Sequence, residues 1–193
     1  MTKTKISAGI LGATLMLAGG AGSAQAEGWF LGGGGNFVSF EDDLKDVDSG
    51  PGLHFSGGYM FDELMSAELI AGFSWHDEES YDDDVAQASL LAGIKLSLDG
   101  EKFRPYATVG FSWNEIATGD FDDVEDDDDF EDFDTVDGFG LYAGFGADIF
   151  IARHHAVNVG FRVNSWDGDG DDDIELDVRT HTLSIAYNYY FSR

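Results

Sequence analysis

The residues best suited to chemistry in this 193-residue chain lie in "GFSWHD", residues 72–77. Ser74, His76 and Asp77 supply a hydroxyl nucleophile, an imidazole base and a carboxylate, the residue types of a hydrolase. In an extended segment Ser74 and His76 share a face, but same-face neighbours stand ~7 Å apart. That spacing predicts no direct Ser–His hydrogen bond. A second candidate is "DGDGDDDIELDV", residues 167–178, which begins like a calcium loop with Asp167, Asp169 and Asp171. It then departs from that pattern, because Asp172 stands where the turn glycine belongs and Val178 where the closing glutamate belongs. No dedicated metal site follows, and no other cofactor is implied. Loose binding of calcium or magnesium by Asp126, Asp127, Asp128, Asp129, Asp167, Asp169 and Asp171 is the metal chemistry the sequence offers. A solvated, self-repelling loop is the weightier reading of such charge blocks. The adjacent His154 and His155 are a weak metal signal. No HExxH, GxSxG or phosphate-loop pattern occurs.

The ends and the charge limit what such residues could serve. Lys3 and Lys5 precede an apolar stretch from Ile6 to Ala18, and Ala24-Gln25-Ala26 forms a small-x-small site. This reads as a secretory signal over residues 1–26, cleaved between Ala26 and Glu27, with one domain over 27–193. The apolar stretch is shorter than the ~20 residues of a membrane-spanning helix and is interrupted by glycines. Removing it takes away two lysines and no acids, so the net charge moves from −28 to −30. So negative a chain is not a nucleic-acid binder, since phosphates need Lys and Arg. With no cysteine, an exported domain cannot rest on disulfides.

The acids are clustered. Thirty of the 38 lie in residues 41–48, 77–84, 120–137 and 167–177, and "FDDVEDDDDFEDFD" alone holds ten. Between the blocks, apolar residues alternate with polar or small ones, the mark of strands. Ala86, Ala88, Leu90, Ala92, Ile94 and Leu96 form one face, with Gln87, Ser89, Leu91, Gly93, Lys95 and Ser97 on the other. Eight such segments are expected, at about 29–40, 51–61, 64–76, 85–98, 103–117, 137–152, 156–166 and 177–191. Long acidic connections alternate with tight turns, as in an up-and-down barrel with its loops at one end and its turns at the other.

A barrel of this size could be a soluble, lipocalin-like cup or a membrane barrel, and the polar face decides. It carries Glu68, Lys95, Arg104, Asp148 and Arg162 among Asn, Ser and many glycines. Mixed charge and small residues suit a narrow lumen in which opposite charges pair. The apolar face ends in aromatics: Trp75 and Trp113 toward the acidic end, and Trp29, Tyr59, Phe61, Tyr189 and Phe191 toward the turns. Two such girdles fit the two interfaces of a bilayer. The expected fold is therefore all-β, an eight-stranded antiparallel up-and-down transmembrane β-barrel. Its lumen charges are expected to form a salt-bridge plug rather than an ion path.

The ending Ala24-Gln25-Ala26, the opening "GWFLGGGGNF", the repeated "GFSW" at 72–75 and 110–113, and the closing "THTLSIAYNYYF" together resemble the small OmpA/OmpX-type outer membrane barrels. The resemblance covers the predicted mature chain and does not extend to the periplasmic domain of OmpA. It implies a Gram-negative outer membrane, outward loops and periplasmic termini. It also implies contact with outer membrane lipid and lipopolysaccharide, and a final aromatic strand (Tyr187, Tyr189, Phe191) read by the barrel assembly machinery. The expected role is structural or interfacial, without enzymatic activity. The alternatives are a narrow, porin-like cation-selective channel and a lipid-modifying enzyme.

Overall fold

A computed structural model describes residues 28–45, 47–77, 84–119, 134–170 and 175–191. The predicted signal and its Ala26–Glu27 junction, Asp126 to Asp129 and Asp171 lie outside them. Eight strands follow one another: β1 Gly28–Asp42, β2 Gly50–Met60, β3 Met65–Asp77, β4 Asp84–Ser97, β5 Phe103–Gly119, β6 Asp134–Ala152, β7 His155–Gly170 and β8 Glu175–Tyr190. Each pairs antiparallel with its chain neighbour, and β1 pairs with β8 to close the barrel. The eight expected segments all form, in the expected order. They differ at the acidic end, where β5 reaches Gly119, β6 starts at Asp134 and β7 reaches Gly170. The connections at the other end are tight. In the β2–β3 turn, Asp62 Oδ1 accepts the Leu64 and Met65 N–H groups at 2.7 Å each, a side-chain mimic of a backbone turn.

The alternation falls as the sequence implies, with the greasy side outward. Phe111 and Phe139 are 72% and 75% exposed, while the inward Ser112, Asn114 and Asp148 are 2% exposed or less. Girdle residues meet at the turn end, where the Trp29 and Tyr59 rings are 5.0 Å apart across β1 and β2, and Tyr189 and Phe191, at the end of β8 and just past it, are 5.1 Å apart.

The inward face is more varied than a purely polar lumen. Phe30, Met60, Phe150, Ala156 and Tyr190 form an apolar layer at the turn end. Phe40, Val47, Val85, Ile116, Trp166 and Val178 form another at the acidic end, with Leu44, Val136 and Leu176 against it. Ile70, Leu91 and Tyr142 make a thinner layer between them. A membrane barrel needs polar side chains only where its bore is wet. At the two mouths, inward apolar side chains gain more by packing on one another than by facing water.

Glycines make room for the larger inward side chains. A Cβ on Gly93 would stand 2.4 Å from the Tyr142 hydroxyl, and one on Gly110 would stand 2.6 Å from its ring. The tyrosine can cross the bore only because these neighbours on β4 and β5 have no side chain. Gly93→Val is expected to lower stability by ~1–3 kcal/mol through overpacking, measured by urea unfolding in detergent micelles.

Candidate functional site

The five charges predicted for the lumen all lie on the inward side. On the turn-end side of the Ile70–Leu91–Tyr142 layer, Lys95 Nζ on β4 meets Asp148 Oδ2 on β6 at 2.7 Å. The pair bridges over β5, with the ammonium 4.0 Å from the centre of the Tyr106 ring. Asp148 also accepts from Asn158 Nδ2 at 2.7 Å, the Tyr190 hydroxyl at 3.0 Å and Asn188 Nδ2 at 3.4 Å. A carboxylate 1% exposed needs that many donors, because burying an ion is costly unless its lone pairs are satisfied. Glu68 accepts from the Thr108 hydroxyl at 2.6 Å and from the Tyr142 hydroxyl at 3.5 Å. Arg104 stands opposite Asp148 in the β5–β6 register, yet its guanidinium lies 5.5 Å from the Phe150 ring centre. Arg162 runs its stem over Gly144 and has no carboxylate within 4.0 Å among the described residues. One ion pair thus forms among the five charges.

Toward the acidic end the chemistry is neutral. Ser112 Oγ donates to Asn164 Oδ1 at 2.6 Å, Asn164 Nδ2 to Asn114 Oδ1 at 2.9 Å, and Asn114 Nδ2 to Ser112 Oγ at 3.1 Å. This closed ring ties β5 to β7. Asn114 is not among the expected lumen residues, although its period-two step from Ser112 in "FSWNE" places it there.

Ser74 and His76 overturn the expectation that they do not meet. His76 Nε2 lies 2.8 Å from Ser74 Oγ. The ~7 Å spacing applies to the backbone, and the long imidazole arm leans along the strand to cover it. His76 Nδ1 lies 2.9 Å from the carbonyl oxygen of Asp48. A carbonyl only accepts, so Nδ1 carries the proton, and in the neutral ring Nε2 accepts from the serine hydroxyl. The polarity is that of a serine–histidine pair, with a backbone carbonyl where a hydrolase uses a carboxylate. Ser74 and His76 are 2% and 3% exposed, and the imidazole packs against Phe40 at 4.6 Å. The contact latches the segment after β1 onto the barrel wall. His154 and His155 do not converge on a common point: His154 Nδ1 donates to the Tyr190 carbonyl at 2.9 Å, and His155 Nδ1 bonds the Tyr187 hydroxyl.

The acidic rim sets like charges side by side. Asp167 pairs with Asp177 in the β7–β8 register, and Glu115 stands opposite Asp137 between β5 and β6. Asp43 Oδ2 accepts the Asp177 N–H at 2.8 Å. A hydrogen bond with Asp167 and its charge, followed by Asp43 and Asp42, raise the Asp177 carboxyl above its ordinary range. Arg179 reaches Glu41 at 3.8 Å and Asp42 at 3.7 Å. Among the described residues, no three acidic or histidine side chains converge as metal ligands.

Over residues 10–191 the chain matches the family described as outer membrane protein beta-barrel domain. No curated protein matches it. Among solved structures it is similar to Neisserial surface protein A, with TM-score 0.66, 15% identity, and 86% of this chain and 100% of that one covered. It is also similar to outer membrane protein OprG of Pseudomonas aeruginosa, with TM-score 0.60, 18% identity, and 88% and 98% covered. A third is Ail, the attachment invasion locus protein of Yersinia pestis, with TM-score 0.59, 15% identity, and 87% and 100% covered. Ail has also been solved with the heparin analogue sucrose octasulfate. At these identities the likeness concerns the fold.

Two outcomes follow from this geometry. Lys95→Met or Asp148→Ala strands a buried charge and is expected to cost ~3–5 kcal/mol in urea unfolding, while the double change Lys95→Met, Asp148→Leu recovers most of that loss. At the rim, the folded Asp177 holds its proton more tightly than the unfolded chain does. The penalty is therefore full above its raised pKa and absent below the ordinary value of 3.8. Amide-exchange protection at the β7–β8 tip is expected to rise as pH falls from neutral toward that value, and Asp167→Asn removes much of the rise.

Proposed function

This chain belongs to the outer membrane protein β-barrel domain family, and on that premise we propose that it is a sealed envelope barrel whose work is done by its acidic surface rather than its bore. Its place is the outer membrane. The observation that carries the reading is the stack of apolar layers across the lumen, with the Lys95–Asp148 pair between the middle and turn-end layers. Eight strands leave a bore that side chains nearly fill. A cation entering from the acidic rim would also meet Arg162, Lys95 and Arg104 against only Glu68 and Asp148, which opposes cation selectivity. Ser74 is closed off by the same packing, which argues against a lipid-modifying enzyme.

The orientation belongs to the proposal. Long acidic connections face outside the cell, short turns and both chain termini face the periplasm, and residues 1–26 direct export with cleavage after Ala26. The exposed Tyr187, Tyr189 and Phe191 of the final strand are what the assembly machinery would read. Lipopolysaccharide phosphates and the rim acids are both anionic, so calcium or magnesium would sit loosely between them and screen the repulsion. A sulfated ligand like the one solved on Ail would be repelled here. The partners favoured by this rim are cations, cationic surfaces, or anions bridged by divalent ions.

Planar-bilayer recording tests the reading. The wild-type protein is expected to show no sustained conductance with or without calcium, and combined Trp166→Ala and Phe30→Ala changes are expected to create one. A steady, cation-selective conductance from the unaltered protein would replace this proposal with the channel.

A further inference from the structure

Arg162 is 9% exposed, and its guanidinium makes neither a hydrogen bond nor an ion pair with any described residue. The lumen acids are engaged elsewhere: Asp148 holds Lys95, while Glu68 is held by Thr108 and Tyr142. Burying a cation without a counter-charge is among the costlier arrangements in a folded protein. Arg162 also lines two cavities, of about 30 Å³ toward the turns and about 20 Å³ toward the acidic end. Both exceed the ~10–15 Å³ needed for one water-sized occupant.

The cavities differ in charge. The one toward the turns also faces Glu68 and Lys95. In the one toward the acidic end, Arg162 is the only ionised residue. Its other walls include Asn36, Gln87, Ser89, Thr180 and Thr182, whose side chains have no hydrogen-bond partner among the described residues. Amides and hydroxyls can each turn a donor inward. A guanidinium with neutral N–H and O–H donors around a space little larger than a water is a cradle for a small anion.

We propose that this lumen cavity binds a monovalent inorganic anion of halide size on Arg162. The ion would supply the counter-charge that the chain does not, and its affinity would appear as stability, because only the folded barrel assembles the cradle.

The test uses the full-length barrel folded in detergent micelles, comparing sodium chloride with sodium gluconate at equal ionic strength. Chloride, but not the bulky gluconate, is expected to raise the urea midpoint. Well above half-saturation, each tenfold increase in chloride should raise the folded-to-unfolded ratio about tenfold. Arg162→Met is expected to be insensitive to the choice of anion and more stable than wild type in gluconate, with the gap closing as chloride is added. Arg162→Lys keeps part of the response. Crystals of the wild-type protein grown in sodium bromide should show anomalous density beside the guanidinium. An equal chloride response in Arg162→Met, or no anion response and no bromide peak in wild type, would overturn the proposal in favour of water. If Arg162→Met does not fold, Arg162→Lys and the bromide experiment decide.

Discussion

Closure of the sheet by β1 against β8 is the constraint on which the rest of the molecule depends. Hydrocarbon offers no partner to an unpaired N–H or C=O, so a sheet can sit in a membrane only with no free edge. Here the seam runs from Phe30↔Tyr190 to Asp42↔Val178 without a break in register. The approach is close: a Cβ on Gly34 would lie 2.0 Å from the Ile185 carbonyl oxygen. The run "LGGGG", which fixes no face by its own pattern, suits that approach. With eight strands closed, the bore is narrow, and inward side chains must fill it with few voids.

Filling a narrow bore with polar groups creates an accounting problem, which the lumen solves in layers. Where ionised groups lie deep, as at Asp148, donors from β4, β7 and β8 converge on one carboxylate. Where the groups are neutral, Ser112, Asn114 and Asn164 satisfy one another. The apolar layers keep bulk water from competing for these bonds, which strengthens them. Packing apolar layers across the bore and stabilising its polar contents are therefore one arrangement. Arg104 lies against the Phe150 ring, and Arg162, spanning two cavities, is an inward charge that this arrangement leaves to an outside partner.

Much of this was legible in the sequence, because period-two alternation reports directly on which side of a sheet a residue occupies. The faces of β4 and β6 to β8 follow from it, as do the girdles and the inward position of Arg162. What the pattern could not supply was distance across the bore. Lys95 and Asp148 are separated by 53 residues and an intervening strand, and nothing in parity says that they meet while Arg104, opposite Asp148 in register, turns to Phe150. Backbone spacing misled for Ser74 and His76, since it neglects the reach of an imidazole. The inward apolar layers were visible in parity, as Trp166 keeps step with Arg162 and Asn164. Parity alone does not single them out, because the inward face of an inverted barrel is polar only where its bore is wet.

The acidic tips raise a question of balance. Like charges directly opposite on adjacent strands destabilise a sheet, yet Glu115 faces Asp137, and Asp167 faces Asp177. The same segments carry, on the opposite face, the residues that close the bore. Val136 precedes Asp137, Trp166 precedes Asp167, and Leu176 and Val178 flank Asp177. Burying a large apolar side chain contributes ~1.5–3 kcal/mol, whereas an exposed cross-strand pair is worth ~0.2–1 kcal/mol. The inward face therefore outweighs the outward repulsion, and the strands extend past the tryptophan girdle. The apolar layer at the acidic mouth thus has two consequences: it packs across the lumen, and it is the foundation that lets a chain of net charge −28 hold Glu115 opposite Asp137 and Asp167 opposite Asp177 in register.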